Sequence, residues 1–292
     1  MSKNMTSIPG PEKAMASSPD GRLVAAYATT TDRASQTDSQ DRAAIVVNDQ
    51  KGVIGVVVCD GVGSQPDSGE IADLVVGKTT EFVSNRGLSG WDELSTKVNS
   101  NLDRDLDGAC TQIVVALDNE GRVRFSFLGD GALFEVRMRE LMPGHYWPAF
   151  SEVALAQSLS TPGGWALTGY LPAPSGTDPD PVIGSRSRQL RPEPQLWLAV
   201  TDGVSSDQER PLSIPTPEGS RWQETSQVLT RLLDQLARNW QELISPETKD
   251  PDRILAECLA RELDNCGQQG LLKDDTTAAA VLYRPDPNTE KR

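Results

Sequence analysis

The most informative segment of the chain is a short apolar stretch, Val53-Ile54-Gly55-Val56-Val57-Val58-Cys59, which ends at Asp60-Gly61. A brief β-branched run that is bounded by a turn signal predicts a strand buried on both faces. The same arrangement occurs again at residues 196–200, which are followed by Thr201-Asp202-Gly203. We therefore predict two buried strands that each end in a carboxylate.

Alternating and helical periodicities extend this pattern along the chain. They predict further strands over residues 23–29, 43–47, 110–117, 123–128, 134–141 and 278–283. They predict helices over residues 68–83, with Ser68 as the cap, and over residues 91–102, 225–244 and 252–266. Residues 143–191 are rich in Pro, Gly and Ser and are predicted to be mostly loop.

The organisation indicated is one domain over residues 23–284. Residues 1–22 lack periodicity and are predicted to be a mobile tail, and residues 285–292 a short C-terminal tail. The 292 residues carry a net charge of −14, which disfavours nucleic acid and anionic lipid as partners. No membrane span, signal segment or CxxC spacing is present, so a cytoplasmic protein with reduced cysteines is expected.

Acidic residues mark the ends of the most apolar strands. Asp60, Asp202 and Asp274 lie at three such ends, and Asp130 follows a fourth strand. Each Asp-Gly pair on its own is typical of a turn, which leaves an acidic scaffold as one interpretation. If the strand ends converge, however, the carboxylates would repel one another unless protons or cations lie between them. Hard divalent ions such as Mg²⁺ or Mn²⁺ suit such ligands, whereas the single histidine, His145, is expected to be an ordinary surface residue.

Taken in order, six segments resemble the motifs of the PP2C (PPM) metal-dependent serine/threonine protein phosphatases. The segments are Ser39-Gln40-Asp41, Val57-Val58-Cys59-Asp60-Gly61-Val62-Gly63-Ser64, Gly108-Ala109-Cys110-Thr111, Phe127-Leu128-Gly129-Asp130-Gly131, Leu198-Ala199-Val200-Thr201-Asp202-Gly203-Val204 and Asp274-Asp275-Thr276-Thr277. Residues 165–171 are similar to a short helical stretch of that family. The resemblance extends over about residues 23–284.

This resemblance implies an α+β fold, a four-layer α/β/β/α sandwich of two antiparallel sheets flanked by helices. It also implies two Mn²⁺ or Mg²⁺ ions, with Asp60 bridging both, the Gly61 carbonyl on one, and Asp202 and Asp274 on the other. Asp41 would orient metal-bound water, and Asp130 would help to bind a weak third ion. Hydrolysis of phosphoserine or phosphothreonine would proceed through a metal-bridging hydroxide, with Asp41, Asp60 and Asp202 as the catalytic residues.

The chain departs from the family pattern at several positions. Gln36 replaces the arginine that usually holds the substrate phosphate, and Arg33 is the nearest substitute. Ser206 replaces an acidic residue of the third metal site. Ser64 and Gln65 replace a glycine and a histidine.

Two functions therefore remain open. The first is a protein phosphatase that acts on a phosphorylated protein and opposes a Ser/Thr kinase. The second is a catalytically weak PPM-fold module that binds a phosphoprotein or has a regulatory role, which the departures at Gln36 and Ser206 would suit. Retention of Asp60, Asp202 and Asp274 favours the phosphatase.

Overall fold

Two antiparallel β-sheets form the centre of this computed structural model, which describes residues 11–31, 39–154, 157–161, 164–186, 193–205, 210–216, 219–272 and 274–285. The first sheet has the order β1 (Glu12–Ser17), β2 (Leu23–Thr30), β15 (Thr276–Tyr283), β12 (Gln195–Val200), β7 (Ala132–Met142) and β8 (His145–Glu152). The second has the order β11 (Val182–Arg186), β6 (Val123–Leu128), β5 (Gln112–Asp118), β4 (Val53–Cys59) and β3 (Arg42–Asn48). Two separate hairpins pair β9 (Ser158–Thr161) with β10 (Gly164–Leu167) and β13 (Arg210–Thr216) with β14 (Gly219–Thr225).

Helices cover the outer faces of both sheets. α1 (Ser68–Arg86) and α2 (Leu94–Asn99) pack on the second sheet, while α4 (Gln227–Arg238), α5 (Trp240–Ile244) and α6 (Pro251–Gln268) pack on the first. A short helix, α3 (Asp202–Ser205), follows β12 directly. The predicted four-layer α/β/β/α sandwich is therefore confirmed.

Strand β4 shows how the sequence builds these layers. Ile54, Val56 and Val58 point into the core between the two sheets, and Val57 and Cys59 point into the core beneath α1. Because side chains alternate along a strand, a strand with a hydrophobic layer on each side must be apolar throughout. The near-continuous apolar run is thus explained by burial on both faces.

The helix predicted over residues 225–244 is divided in the structure. Ser226 caps α4 by accepting a hydrogen bond from the Leu229 N–H at 2.9 Å. At Asn239 the side-chain Nδ2 donates to the Gln235 carbonyl, 2.8 Å away, and α5 begins at the next residue. An asparagine that bonds locally to the backbone competes with helix continuation, which accounts for the break.

Ser68 does not cap α1 as predicted. It is the first residue of the helix, and its buried Oγ donates to the Val62 carbonyl at 2.9 Å and accepts from the Ala109 N–H at 3.2 Å. The serine therefore ties the loop after β4 to the loop before β5. The second predicted helix, over residues 91–102, is a 3₁₀ turn at Trp91–Glu93 followed by the shorter α2.

The loop predicted over residues 143–191 is wrong, because β8, β9, β10 and β11 lie within it. β8 pairs with β7 across a turn at Gly144, whose φ is 76°, and β11 pairs with β6 and forms the edge of the second sheet. Residues 164–167 are a strand rather than part of a helical stretch. These strands take their hydrogen bonds from tertiary pairing, which local composition does not reveal.

The N-terminal tail predicted over residues 1–22 is also too long. Residues 12–17 form β1, which pairs with β2 in the register Glu12↔Thr29 to Ser17↔Val24. Ala14 packs against the core between the sheets, and the remaining strand bonds come from the edge of β2. Among the described residues, the first sheet therefore begins at residue 12. In the described part of the chain, none of the helices is both long and apolar enough to cross a membrane.

Candidate metal centre

Sheet pairing brings the predicted acidic residues to one end of the sandwich. β12 ends beside the start of β15, with Val200 opposite Ala278, so Asp202 and Asp274 extend from neighbouring strand ends. β4, β5 and β6 place Asp60 and Asp130 at the same end of the second sheet, since Gln112 on β5 pairs with Leu128. The strand order therefore explains why residues far apart in sequence meet.

Four carboxylates line one cavity of about 480 Å³, which we call the carboxylate cavity. Its acidic members are Asp60, Asp130, Asp202 and Asp274. The rest of its wall is formed by Gly61, Val62, Gly63, Ser64, Gln65, Ala109, Thr111, Leu167 and Tyr170. In the described ranges none of the four carboxylates forms an ion pair with Lys or Arg.

The crowding of these groups disfavours their charged forms. Burial raises the pKa of Asp60 well above its usual range, and the neighbouring Asp41 and Asp202 carboxyls raise it further. Burial raises the pKa of Asp202, with a further contribution from Asp274, and burial and Asp202 raise the pKa of Asp130. The carboxyls of Asp60 and Asp202 are near enough for each to influence the pKa of the other. In the absence of a cation, part of this cluster must hold protons.

Asp41 lies behind the cavity wall rather than in it. Its side chain is buried, and the Thr201 hydroxyl donates to its Oδ2 at 2.9 Å, while the Thr277 N–H donates to that same hydroxyl at 3.0 Å. Its Oδ1 is buried with no hydrogen-bond partner. Burial raises the pKa of Asp41 to about 7, although the Thr277 and Thr201 side chains act in the opposite direction. Asp41 therefore lies beside Asp60, with its Oδ2 hydrogen-bonded to Thr201 and its Oδ1 without a described hydrogen-bond donor.

The glycines after these aspartates are required by close packing rather than by turn geometry. Gly61, Gly131 and Gly203 are absent from the glycines with positive φ. A Cβ at Gly61 would come within 2.8 Å of the Gln40 Cβ, and one at Gly131 within 2.5 Å of the Val200 carbonyl oxygen. A Cβ at Gly203 would collide with the Asp275 carbonyl oxygen. Close packing therefore gives these glycines a role that the turn interpretation of the Asp-Gly pairs does not predict.

The donor set fits a hard divalent cation. Its ligands are carboxylate oxygens, and their mutual repulsion would be relieved by positive charge. Within the described ranges, no three or more His, Cys, Asp or Glu side chains are arranged closely enough to hold a metal ion as they stand. Mg²⁺ and Mn²⁺ usually keep several waters and take only a few ligands from the protein.

Most of the predicted site residues can be placed. Asp60, Gly61, Asp130, Asp202 and Asp274 share the carboxylate cavity, and Asp41 adjoins it. Arg33, Gln36 and Ser206 lie outside the described residues. His145 is exposed at the start of β8 and does not line the cavity.

Leu167 and Tyr170 also line the cavity. They belong to the family-like segment 165–171 but were not predicted as site residues. They are held there because the neighbouring Leu171 exchanges two backbone hydrogen bonds of 2.8 Å with Cys110. This contact joins two loops and carries no periodic signal. Thr111, from the segment Gly108-Ala109-Cys110-Thr111, holds the Asp60 backbone, because its Oγ1 accepts from the Asp60 N–H at 3.0 Å.

Comparison with known proteins supports the resemblance drawn from the motifs. The family model described as Protein phosphatase 2C matches residues 30–145. That range contains Asp41, Asp60 and Asp130. The resemblance to the PP2C family is therefore confirmed, whereas no curated protein sequence matches the chain significantly.

Solved structures share the fold at low sequence identity. The catalytic domain of the serine/threonine protein phosphatase PstP, in complex with two manganese ions, is 15% identical with a TM-score of 0.54, covering 89% of this chain and 99% of that one. A bacterial serine phosphatase is 12% identical with a TM-score of 0.57, covering 90% and 98%. RsbX in complex with magnesium is 12% identical with a TM-score of 0.51, covering 93% and 100%. At this identity the similarity establishes the PP2C fold and no more.

Proposed function

We propose that this PP2C-fold chain is a metal-dependent protein phosphatase that hydrolyses phosphoserine or phosphothreonine. The observation that carries the proposal is the carboxylate cavity, where four acidic side chains from both sheets converge without an ion pair to a described Lys or Arg. A divalent cation bound among these carboxylates would offset their repulsion. The PP2C fold and the metal ions named for PstP and RsbX support the same choice.

Asp60, Asp202 and Asp274, together with the Gly61 carbonyl, would hold two Mn²⁺ or Mg²⁺ ions, and Asp130 would contribute to a weak third. When bound, such ions act as Lewis acids toward phosphoryl oxygens and lower the pKa of water. The proposed net reaction adds water at phosphorus and breaks the phosphate ester bond, releasing inorganic phosphate and the Ser or Thr hydroxyl.

The protein's own residues keep this arrangement fixed. The Thr201 hydroxyl donates to one oxygen of Asp41 and itself accepts from the Thr277 N–H, which fixes the orientation of the Asp41 carboxyl beside Asp60. Thr111 holds the Asp60 backbone at two points. Its Oγ1 accepts from the Asp60 N–H, and its own N–H donates to the Asp60 carbonyl. Because these side chains are already held in position, they need not rearrange during the reaction.

The substrate is proposed to be a phosphorylated protein and the opposing enzyme a Ser/Thr kinase. Gln65, Leu167 and Tyr170 line the cavity beside the carboxylates, and they are the side chains that a bound peptide segment would contact. We further propose that residues 23–284, extended by β1, form one phosphatase domain, because both sheets supply ligands to the same cavity.

The test is hydrolysis of a phosphothreonine peptide and of p-nitrophenyl phosphate by the purified chain, with EDTA, Mn²⁺ or Mg²⁺. Activity should be absent in EDTA and restored by Mn²⁺. Hydrolysis that survives exhaustive chelation would exclude the proposed mechanism.

One observation favours the second candidate, a phosphoprotein-binding module with little turnover. None of the described residues that line the cavity is Lys or Arg, so a phosphate finds no cationic side chain there. On that interpretation the Mn²⁺-loaded protein would bind a phosphopeptide, measured by fluorescence anisotropy, without releasing phosphate. Phosphate release at the same protein concentration would rule the module out.

A further inference from the structure

A second cavity, of about 580 Å³, lies at the opposite end of the first sheet. β15 runs from Thr276, beside the carboxylate cavity, to Tyr283, beside this one, a separation of about 25 Å at the usual strand rise. Its wall is formed by Ser17, Pro19, Asp20, Gly21, Arg22, Ile244, Pro246, Thr248, Lys249, Pro251, Arg284 and Pro285. We call it the arginine cavity.

The charge of this wall is opposite to that of the whole chain. Arg22, Lys249 and Arg284 supply three positive charges, and Asp20 is the single acidic residue in the wall. The chain as a whole has a net charge of −14. α6 begins at Pro251, which adds the positive end of a helix dipole to the same wall, although Asp252 lies in its first turn.

Arg284 is the central observation. It is 8% exposed, and its described hydrogen bonds go to two neutral groups, the carbonyl of Gly21 at 2.9 Å and the carbonyl of Ser245. In the described part of the chain it has no carboxylate partner. A buried guanidinium without a counterion is costly, and burial lowers its pKa.

Arg22 also has unused donors. Its NH2 group donates to the Tyr283 hydroxyl at 3.0 Å, and its guanidinium lies 5.7 Å from the Tyr283 ring centroid. The Nε atoms of Arg22 and Arg284 are both buried with no hydrogen-bond partner. Each guanidinium has five N–H donors, and the described hydrogen bonds use one of them at Arg22 and two at Arg284.

We propose that the arginine cavity binds a small anionic ligand that carries phosphate or carboxylate groups. Two guanidinium forks and an ammonium group are the side chains that recognise such oxyanions. The four prolines and Ile244 supply the apolar walls that ligand sites commonly have, and the volume is in the usual range for a small molecule. This proposal is independent of the phosphatase activity, because it concerns a different cavity.

The test is isothermal titration calorimetry of the full chain in EDTA, with pyrophosphate and citrate as probes and chloride at matched ionic strength as the control. Saturable binding of at least one probe is expected. Arg22→Gln and Lys249→Gln should each weaken it roughly tenfold or more, the usual loss for a charge-assisted hydrogen bond. Arg238→Gln removes the same charge from the exposed end of α4 and should leave binding within about twofold.

The two probes separate a phosphate site from a carboxylate site. Asp274→Asn, in the carboxylate cavity, serves as the control for location and should not weaken binding in EDTA. Because Arg284 is buried, its substitution could disturb the fold. Binding by Arg284→Lys is therefore interpreted only if that variant unfolds cooperatively, and the conclusion rests on the Arg22 and Lys249 variants. Three results would each overturn the proposal. Neither probe binds saturably, Arg238→Gln weakens binding as much as Arg22→Gln does, or binding occurs only after residues 286–292 are removed.

Discussion

Asp60 is adjoined by Asp41 on one side and Asp202 on the other, and burial and both neighbours oppose its ionisation. On the proposed function, Asn substitutions in the cluster should have two separable effects. They should remove a cation ligand, and they should also remove a source of repulsion. The variants should therefore lose activity in Mn²⁺ and gain stability in EDTA.

Asp202→Asn is expected to lower kcat at least a hundredfold in Mn²⁺ while leaving the far-UV circular dichroism unchanged, because it removes an oxyanion ligand from the cavity. The measurement is steady-state hydrolysis of a phosphothreonine peptide. Asp234→Asn is the matched control, since burial also raises the pKa of Asp234, but that residue lies on α4, away from the cavity. If Asp202→Asn retains near wild-type kcat, Asp202 is not part of the catalytic site.

Arg33 is the proposed phosphate-binding residue. Arg42, the nearest described arginine on the C-terminal side, is already bonded within the protein. Arg42 is nearest in sequence, but its guanidinium is held by Asp73 at 2.7 Å and by the Asp41 carbonyl at 2.9 Å. Arg33→Ala should therefore raise KM about ten- to a hundredfold, the loss of a charge-assisted contact, with Mn²⁺ affinity unchanged. The readouts are phosphopeptide KM and Mn²⁺ titration.

Arg238→Ala is the charge-matched control for Arg33. If Arg33→Ala leaves KM unchanged and Gln36→Arg lowers it, the wild-type chain has no arginine that binds the phosphate. If neither substitution changes KM, the binding-module interpretation gains support.

At the scale of elements, packing of β12 and α3 against the start of β15 positions two carboxylates. Gly203, in α3, lies directly against the Asp275 carbonyl oxygen and leaves no space for a side chain. Gly203→Ala should push α3 away from β15 and displace Asp202, lowering kcat at least tenfold. Steady-state kinetics and thermal unfolding of the same samples provide the measurement.

Gly77→Ala is the matched glycine control. Gly77 lies within α1, and a Cβ there would have nothing within 4 Å. This change should leave kcat unaltered and stabilise the fold by about 0.5–1 kcal/mol, since alanine is the better helix former. Equal kinetics for both alanine variants would show that the tight contact at Gly203 does not position Asp202.

The sequence predicts the elements whose signal is local. The apolar run of β4 and the periodic faces of α4 and α6 predicted buried positions correctly, because burial on defined faces leaves a periodic trace. β1, β8 and β11 were missed, since each depends on pairing with a strand edge that is not visible in its own composition. The four strand-end carboxylates were predicted, whereas Leu167 and Tyr170 were not, because a backbone contact between distant loops brings them to the cavity.

In the whole molecule, apolar packing holds the two sheets together. At the carboxylate cavity, however, the two sheets place acidic side chains next to one another. Asp60 and Asp130 belong to the second sheet and Asp202 and Asp274 to the first. A cation in this cavity would therefore bind both sheets at once. Its affinity should appear directly in the stability of the whole fold, since a ligand that binds only the folded state stabilises it.

We expect thermal unfolding of the EDTA-treated chain to shift upward by about 5 °C at a Mn²⁺ concentration of about 100 Kd, since this occupancy contributes about 2.7 kcal/mol in a chain of this size. Differential scanning calorimetry measures the shift. Asp60→Asn should unfold at a higher temperature than wild type in EDTA, because one repelling carboxylate is gone, and should lose most of the Mn²⁺ shift. Asp234→Asn should keep the full shift. A wild-type unfolding temperature that does not respond to Mn²⁺ would mean that the carboxylates do not bind a cation between the two sheets, whatever phosphate release is measured.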